Sequence, residues 1–352
     1  MNSKRVLFTS LVAGLAVTLT ACAGGGAAAT GGTGGGEPVE NTGQTFNIRF
    51  AHAGSEATLV HRAIEIISQE MEANSDGQIQ VTIFPNAQLG ADSTVISSLQ
   101  TGDIEMTSVN TAALAPFVSE LSVFSVPFAF PSEEVAYRVL DGEFGQRMSN
   151  ELESRMGVIG LGFLESTTYR QLTSNRPIRT PDDLGGLRIR VMDNPIQIRI
   201  WEALGAAPTP IPFPELYTAL QQGTVDAQEN PIELMTAMRF YEVQGYLTLT
   251  NHVFTTSQVL ISPHSFNQMP ADLQRVVRDA ARTGIEYQRE LFQQEIQGLM
   301  QHLRDSGVEI IELTDAETAM FVERSEPSIE FIREQIGSEL VDDLLQAIEN
   351  AR

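Results

Sequence analysis

A single cysteine, Cys22, stands in a chain of 352 residues, which leaves no partner for a disulfide and no thiolate cluster for a metal. Cations are also scarce: 22 Lys and Arg against 45 Asp and Glu give a formal net charge of −23. A surface that acidic repels nucleic acid and anionic lipid, so neither is an expected partner. The 5 histidines, His52, His61, His252, His264 and His302, show no metal-ligand spacing among themselves or with carboxylates. No Gly-x-Ser-x-Gly elbow and no phosphate loop occurs, and Gly160-Leu161-Gly162, a fragment of a dinucleotide loop, reads better as part of a strand. No metal and no cofactor is therefore expected. Stability must come from a hydrophobic core, for which the roughly 300 residues left to fold suffice, with length favouring two domains.

Nor is there a hydrophobic run long enough to span a bilayer comfortably. The apolar stretch at residues 6–19 follows Lys4 and Arg5 and ends in Leu19-Thr20-Ala21-Cys22, the layout of a secretory signal closed by a lipobox. Residues 1–21 are thus expected to be cleaved off and Cys22 to carry a lipid, the chain's one contact with a membrane. Residues 23–36 are almost entirely Ala, Gly and Thr, so residues 22–44 read as a flexible tether. The expected location is extracytoplasmic, on the periplasmic or cell-surface side.

Apolar and polar residues alternate over 46–50 and 79–84 as in strands, and residues 58–74 between them have helical spacing, a β-α-β opening. Strand-like runs recur at 158–163, 187–191, 259–262 and 308–313 with helical stretches between, which places the chain in the α/β class. Leu99-Gln100-Thr101-Gly102-Asp103-Ile104-Glu105 and Leu220-Gln221-Gln222-Gly223-Thr224-Val225-Asp226 share a plan of helix end, glycine cap and short strand, each followed by an asparagine, Asn110 or Asn230. The plan fits two similar lobes that send strand ends toward a shared cleft, and equally a helix–glycine–strand unit found in many folds. From Pro270 to Asp305 no further proline interrupts a helical spacing. Such a helix is about 50 Å long, enough to brace two lobes, and Gly284 and Gly298 would permit a kink.

The motif Gly186-Leu187-Arg188-Ile189-Arg190-Val191 is followed by residues 216–231, which end in Gln228-Glu229-Asn230-Pro231. Together with Gln88-Leu89-Gly90, Ser125-Val126-Pro127-Phe128, residues 169–177 and Thr250-Asn251-His252, in this order and at these separations, the pattern resembles the solute receptors of TRAP transporters. These are DctP-type proteins that capture organic acids outside the cytoplasmic membrane, and the resemblance runs from about Phe46 to near the C-terminus. It implies a two-lobe periplasmic-binding-protein-like fold with a hinge and a long helix spanning both lobes. Residues 45–166 plus 256–295 would form one lobe and residues 167–255 plus 296–352 the other. It further implies a receptor rather than an enzyme, with an organic-acid anion and the transporter's membrane subunits as partners.

Alternation puts Arg188 and Arg190 on one strand face. A strand arginine standing alone is more often a surface ion pair. The resemblance instead makes Arg190 the fork that pairs with the ligand carboxylate, a geometry lysine lacks. By the same resemblance Arg170 is a second ligand-side arginine, and Asn230 orients the carboxylate. Phe213 either stacks on the ligand or packs in the core. The chain departs from the family pattern at Thr168, where Gly is common, and at Met192-Asp193, where Pro-Glu or Pro-Asn is common, so Asp193 is a candidate contact to the ligand's far end. His52 and Glu165 either touch ligand or support the site from behind. Two alternatives stay open: a binding protein of an ATP-driven transporter or sensor, and a lipid-anchored hydrolase. The ligand is not legible, since relatives sharing the Arg190 motif take dicarboxylates, 2-oxo acids, sugar acids, aromatic acids and zwitterions.

Overall fold

The computed structural model describes residues 43–164 and 169–352, so Cys22, the tether, Glu165 and Thr168 lie outside the described residues. The described residues build two sheets. The first contains β1 (Phe46–Ala51), β2 (Ile79–Phe84), β3 (Met106–Asn110) and β4 (Ile159–Leu164). The second contains β5 (Gln171–Ser174), β6 (Arg188–Val191), β7 (Ala207–Pro210), β8 (Ala227–Asn230) and β9 (Tyr246–Leu249). Then β10 (Ser257–Ile261) returns to the first sheet and β11 (Glu309–Glu312) to the second. The strand orders are β2-β1-β3-β10-β4 and β11-β9-β5-β8-β6-β7.

Local sequence explains the opening unit. Phe46, Ile48 and Phe50 are buried and alternate with exposed Asn47 and Arg49 along β1. Ala63, Ile64, Ile67 and Met71 then form the buried stripe of the helix Leu59–Asn74, whose first turn is capped by the Thr58 side chain accepting from His61 N.

The two sheets repeat one topology. Strand β1, the helix Leu59–Asn74, β2, the helix Asp92–Thr101 and β3 make a parallel β2-β1-β3 core. Strand β6, the helix Pro195–Leu204, β7, the helix Leu216–Gln221 and β8 make a parallel β7-β6-β8 core. Gly102 at φ +81° ends one second helix and Gly223 at φ +66° follows the other. The antiparallel neighbour of β3 is β10 and that of β8 is β5, so each sheet receives a strand after the chain has crossed over. Ala51 pairs with Thr107 as Ile189 pairs with Ala227. With Asn110 and Asn230, the last residues of β3 and β8, set equivalent, the register puts His52 in the place of Arg190. The likeness seen in the sequence is therefore a repeated fold unit.

The helix Ala271–Asp305 runs unbroken for 35 residues with Pro270 at its N-cap. A Cβ at Gly284 would lie 2.3 Å from the Ile67 side chain and 2.9 Å from the Ala63 carbonyl, so this glycine permits close packing on the helix Leu59–Asn74. Further along, Leu303 joins the core formed by Leu216, Leu220, Phe240 and Leu247 beneath the second sheet. One helix thus packs against both. Of the C-terminal helices, Asp315–Ile336 packs on Pro195–Leu204, and Ser338–Asn350 packs on Glu133–Asp141 and Glu143–Met156. Gly160-Leu161-Gly162 lies within β4, with Gly162 at φ +142° where the register to β10 shifts. Among the described residues no helix is long and apolar enough to cross a membrane.

Candidate functional site

Parallel strands bring their C-terminal ends to one edge, and here the ends of β1, β3, β6 and β8 converge on a cavity of about 90 Å³. That is several times the roughly 15 Å³ a single water needs. Arg170, Arg190, Phe213 and Asn230 form its wall on the second-sheet side. His52, Asp92, Ser108 and Asn110 face them from the first.

Strand β8 reads Ala227-Gln228-Glu229-Asn230, and all four residues are buried. Polar groups buried on a strand must find partners or cost stability. Gln228 Nε2 donates to Thr173 Oγ1 at 2.7 Å, and Asn230 Nδ2 donates to Gln228 Oε1 at 2.6 Å. Glu229 takes the guanidinium of Arg170, which donates from Nη2 to Oε1 at 2.8 Å and from Nε to Oε2. The same Nη2 reaches Asn230 Oδ1 at 3.0 Å. His252 Nε2 lies 3.2 Å from Glu229 Oε2, and Thr250 Oγ1 lies 2.8 Å from His252 Nδ1. Burial pushes the Glu229 carboxyl up, but the charge of Arg170 and the hydrogen bonds from His252 and Arg170 outweigh it and hold the group at about 2. The charge of Arg170 is thereby balanced inside the protein.

Arg190 differs. It is 2% exposed, its Nε donates to Ile211 O at 2.8 Å, and its Cζ lies 5.9 Å from the centroid of the Phe213 ring. Its terminal nitrogens make no hydrogen bond among the described residues. Burial lowers the guanidinium to about 10, with Arg170 adding to that and Glu229 and Asp92 opposing it, so it stays charged at neutral pH. A buried fork with free N–H groups suits a planar anion approached in bidentate geometry. Arg188, on the same strand, is instead an exposed ion pair with Asp226 at 2.6 Å.

Arg190, Arg170, Asn230, Phe213 and His52 thus line one cavity. Asp193 does not: it is exposed beside Asn194, the N-cap of the following helix, while Met192 takes the place at the wall. Glu165 lies outside the described residues. Asp92, Ser108 and Thr255 line the cavity without having been expected. The only trace of Asp92 in the sequence is its place just after Gln88-Leu89-Gly90. His52 meets His61 with Nε2 and Nδ1 2.9 Å apart, and burial together with the neighbouring His61 lowers His52 to about 4.

Fold and site together define a solute-binding protein of the two-lobe periplasmic type. Residues 50–335 match bacterial extracellular solute-binding protein family 7, DctP, and the chain belongs to that family. A sugar acid binding protein, DctPAm from Advenella mimigardefordensis, solved in complex with galactonate, superposes with a TM-score of 0.85 at 36% identity, over 88% of this chain and 99% of that one. A TRAP periplasmic solute binding protein from Sulfurospirillum deleyianum with bound succinate gives 0.82 at 28% identity, over 87% and 99%. The 2,3-diketo-L-gulonate-binding periplasmic protein YiaO of Escherichia coli is 32% identical over 279 residues, 78% of this chain and 83% of its own length.

Proposed function

We propose that the chain is the extracytoplasmic receptor of a TRAP-type secondary transporter and binds an organic acid by its carboxylate between the two sheets, for delivery to the membrane subunits. The observation that carries this reading is Arg190, a buried guanidinium whose terminal nitrogens have no protein partner among the described residues while the neighbouring Arg170 is committed to Glu229. The solved relatives hold organic acids, which supports it. Asn230 and the remaining nitrogen of Arg170 would complete the carboxylate's surroundings. The chain crosses between the sheets after β4 and after β9, and these crossings are the proposed hinge between a lobe of residues 45–166 plus 256–295 and a lobe of residues 167–255 plus 296–352. Lipid on Cys22 would hold the receptor at the membrane. Calorimetry with sugar acids and dicarboxylates should show saturation at one equivalent, with the acid recovered unchanged; turnover of the acid would make the protein an enzyme. Cys22→Ser should release the protein from the detergent phase, and retention there would remove the anchor from the proposal.

A further inference from the structure

The cavity wall also carries polar side chains left without partners among the described residues, set among apolar neighbours such as Val60, Val109 and Leu234. Asp92, the first residue of the helix Asp92–Thr101, lines the wall, and its carboxylate has no hydrogen-bond partner among the described residues. Burial pushes its carboxyl up, and the charge of Arg190 opposes this. His52 is 4% exposed, and its Nδ1 also lacks a partner among the described residues. His52 Nε2 and His61 Nδ1, 2.9 Å apart, are bridged by one proton, so His52 Nδ1 accepts when that proton is on His52 and donates when it is on His61. The hydroxyls of Ser108 and Thr255, both buried at this wall, are likewise without partners among the described residues.

An apolar ligand tail would leave these groups unpaired, and a second carboxylate, which can only accept, would add an uncompensated charge beside Asp92. No second free cation lines the cavity among the described residues, because the charge of Arg170 is taken by Glu229. Hydroxyl groups satisfy the whole set, because a hydroxyl both donates and accepts and so pairs with Asp92 and His52 in either protonation or tautomeric state, as well as with Ser108 and Thr255. We propose that the cavity selects a polyhydroxylated monocarboxylate, an aldonate-like acid, over dicarboxylates, and that Asp92 is the residue that sets this preference by accepting hydrogen bonds from the ligand's hydroxyls and repelling a second carboxylate. The proposal rests on the reading that Arg190 holds the carboxylate.

The test is calorimetric titration of the full folded receptor with galactonate, gluconate and erythronate against succinate and fumarate. The parent should bind at least one of the hydroxy acids more tightly than either dicarboxylate by at least about tenfold, the scale of one charge-assisted hydrogen bond gained and one like-charge contact avoided. Asp92→Asn, equal in shape and still able to accept, should narrow that ratio by about tenfold, chiefly by improving succinate. Ser108→Ala should weaken the hydroxy acid alone. A parent that prefers succinate, that binds none of the hydroxy acids, or whose ratio is unmoved by Asp92→Asn overturns the proposal. Arg190→Ala separates the two readings: loss of every acid with an unmoved Asp92→Asn ratio sinks only the selectivity, whereas parent-like binding by Arg190→Ala sinks the carboxylate reading itself.

Discussion

Two arginines reach the same cavity and differ in what their charge is for. Arg170 and Glu229 are buried together, at 2% and 0% exposure, so each is what makes the other's ionisation tolerable. Arg190 bonds to no carboxylate among the described residues. Removing one member of a buried pair strands the other, so Arg170→Ala should lose about 3–5 kcal/mol of folding stability at neutral pH. Arg190→Ala removes a buried charge and breaks no ion pair at contact distance among the described residues, so it should stay close to the parent in urea unfolding while losing about two to four powers of ten in affinity for the acid. Arg190→Lys should recover little of this, because a point charge does not reproduce the fork. Denaturation curves and calorimetry on the same preparations read both quantities. An Arg170→Ala protein as stable as the parent, or an Arg190→Ala protein that is folded and binds within about threefold of it, would contradict the division of roles.

The helix Leu59–Asn74 begins with Leu59 N donating at 2.6 Å to Oε1 of Glu233, which sits on Ile232–Ala237 after β8. A carboxyl from one sheet thus serves the helix N-terminus of the other. Burial pushes the Glu233 carboxyl up to about 7, and the nearby Glu295 adds to it. For a carboxyl raised from 4.5 to about 7, the folded state holds the proton longer than the unfolded chain, so stability falls as pH rises between those values and levels off above them. Glu233→Gln keeps the acceptor and removes the titration. Thermal unfolding from pH 5 to 8 should show the variant gaining on the parent through this window, whereas parallel curves would show that Glu233 does not titrate there. Periodicity and glycine placement made the opening β-α-β unit, the long helix and the repeated helix–glycine–strand plan legible in the sequence. Neither the exchange of β5 and β10 between sheets nor the reach of Glu233, 174 residues beyond Leu59, leaves a local trace. The site divides in the same way. Arg190 and Asn230 sit in recognisable motifs, while Asp92 enters the cavity only through packing, and Asp193 turns outward because Asn194 beside it caps the next helix.

At the scale of the whole molecule the site is a buried cation in a strongly anionic body. Lys4 is the only lysine, and the arginines are largely spent on acids, as in Arg49–Glu105, Arg147–Asp343 and Arg289–Asp141. A net charge of −23 makes the long-range field repel the anion that Arg190 would hold once it arrives. The two effects act over different distances. Salt screens the exposed charges, the Debye length falling from about 30 Å at 0.01 M to about 8 Å at 0.15 M, but barely reaches a contact sealed from water. Association of a monoanionic acid should therefore quicken as salt is raised over that range, against the usual sign for electrostatic steering, while dissociation changes little. The chain carries its own reporter. Trp201, its only tryptophan, is buried edge-to-face on His252 at 5.1 Å, and His252 bonds to the Glu229 that holds Arg170. Stopped-flow tryptophan fluorescence at increasing salt should show a rising association rate with a nearly constant dissociation rate. A rate that falls with salt would mean that the local positive field of Arg190 extends to the cavity mouth and governs approach despite the acidic surface around it.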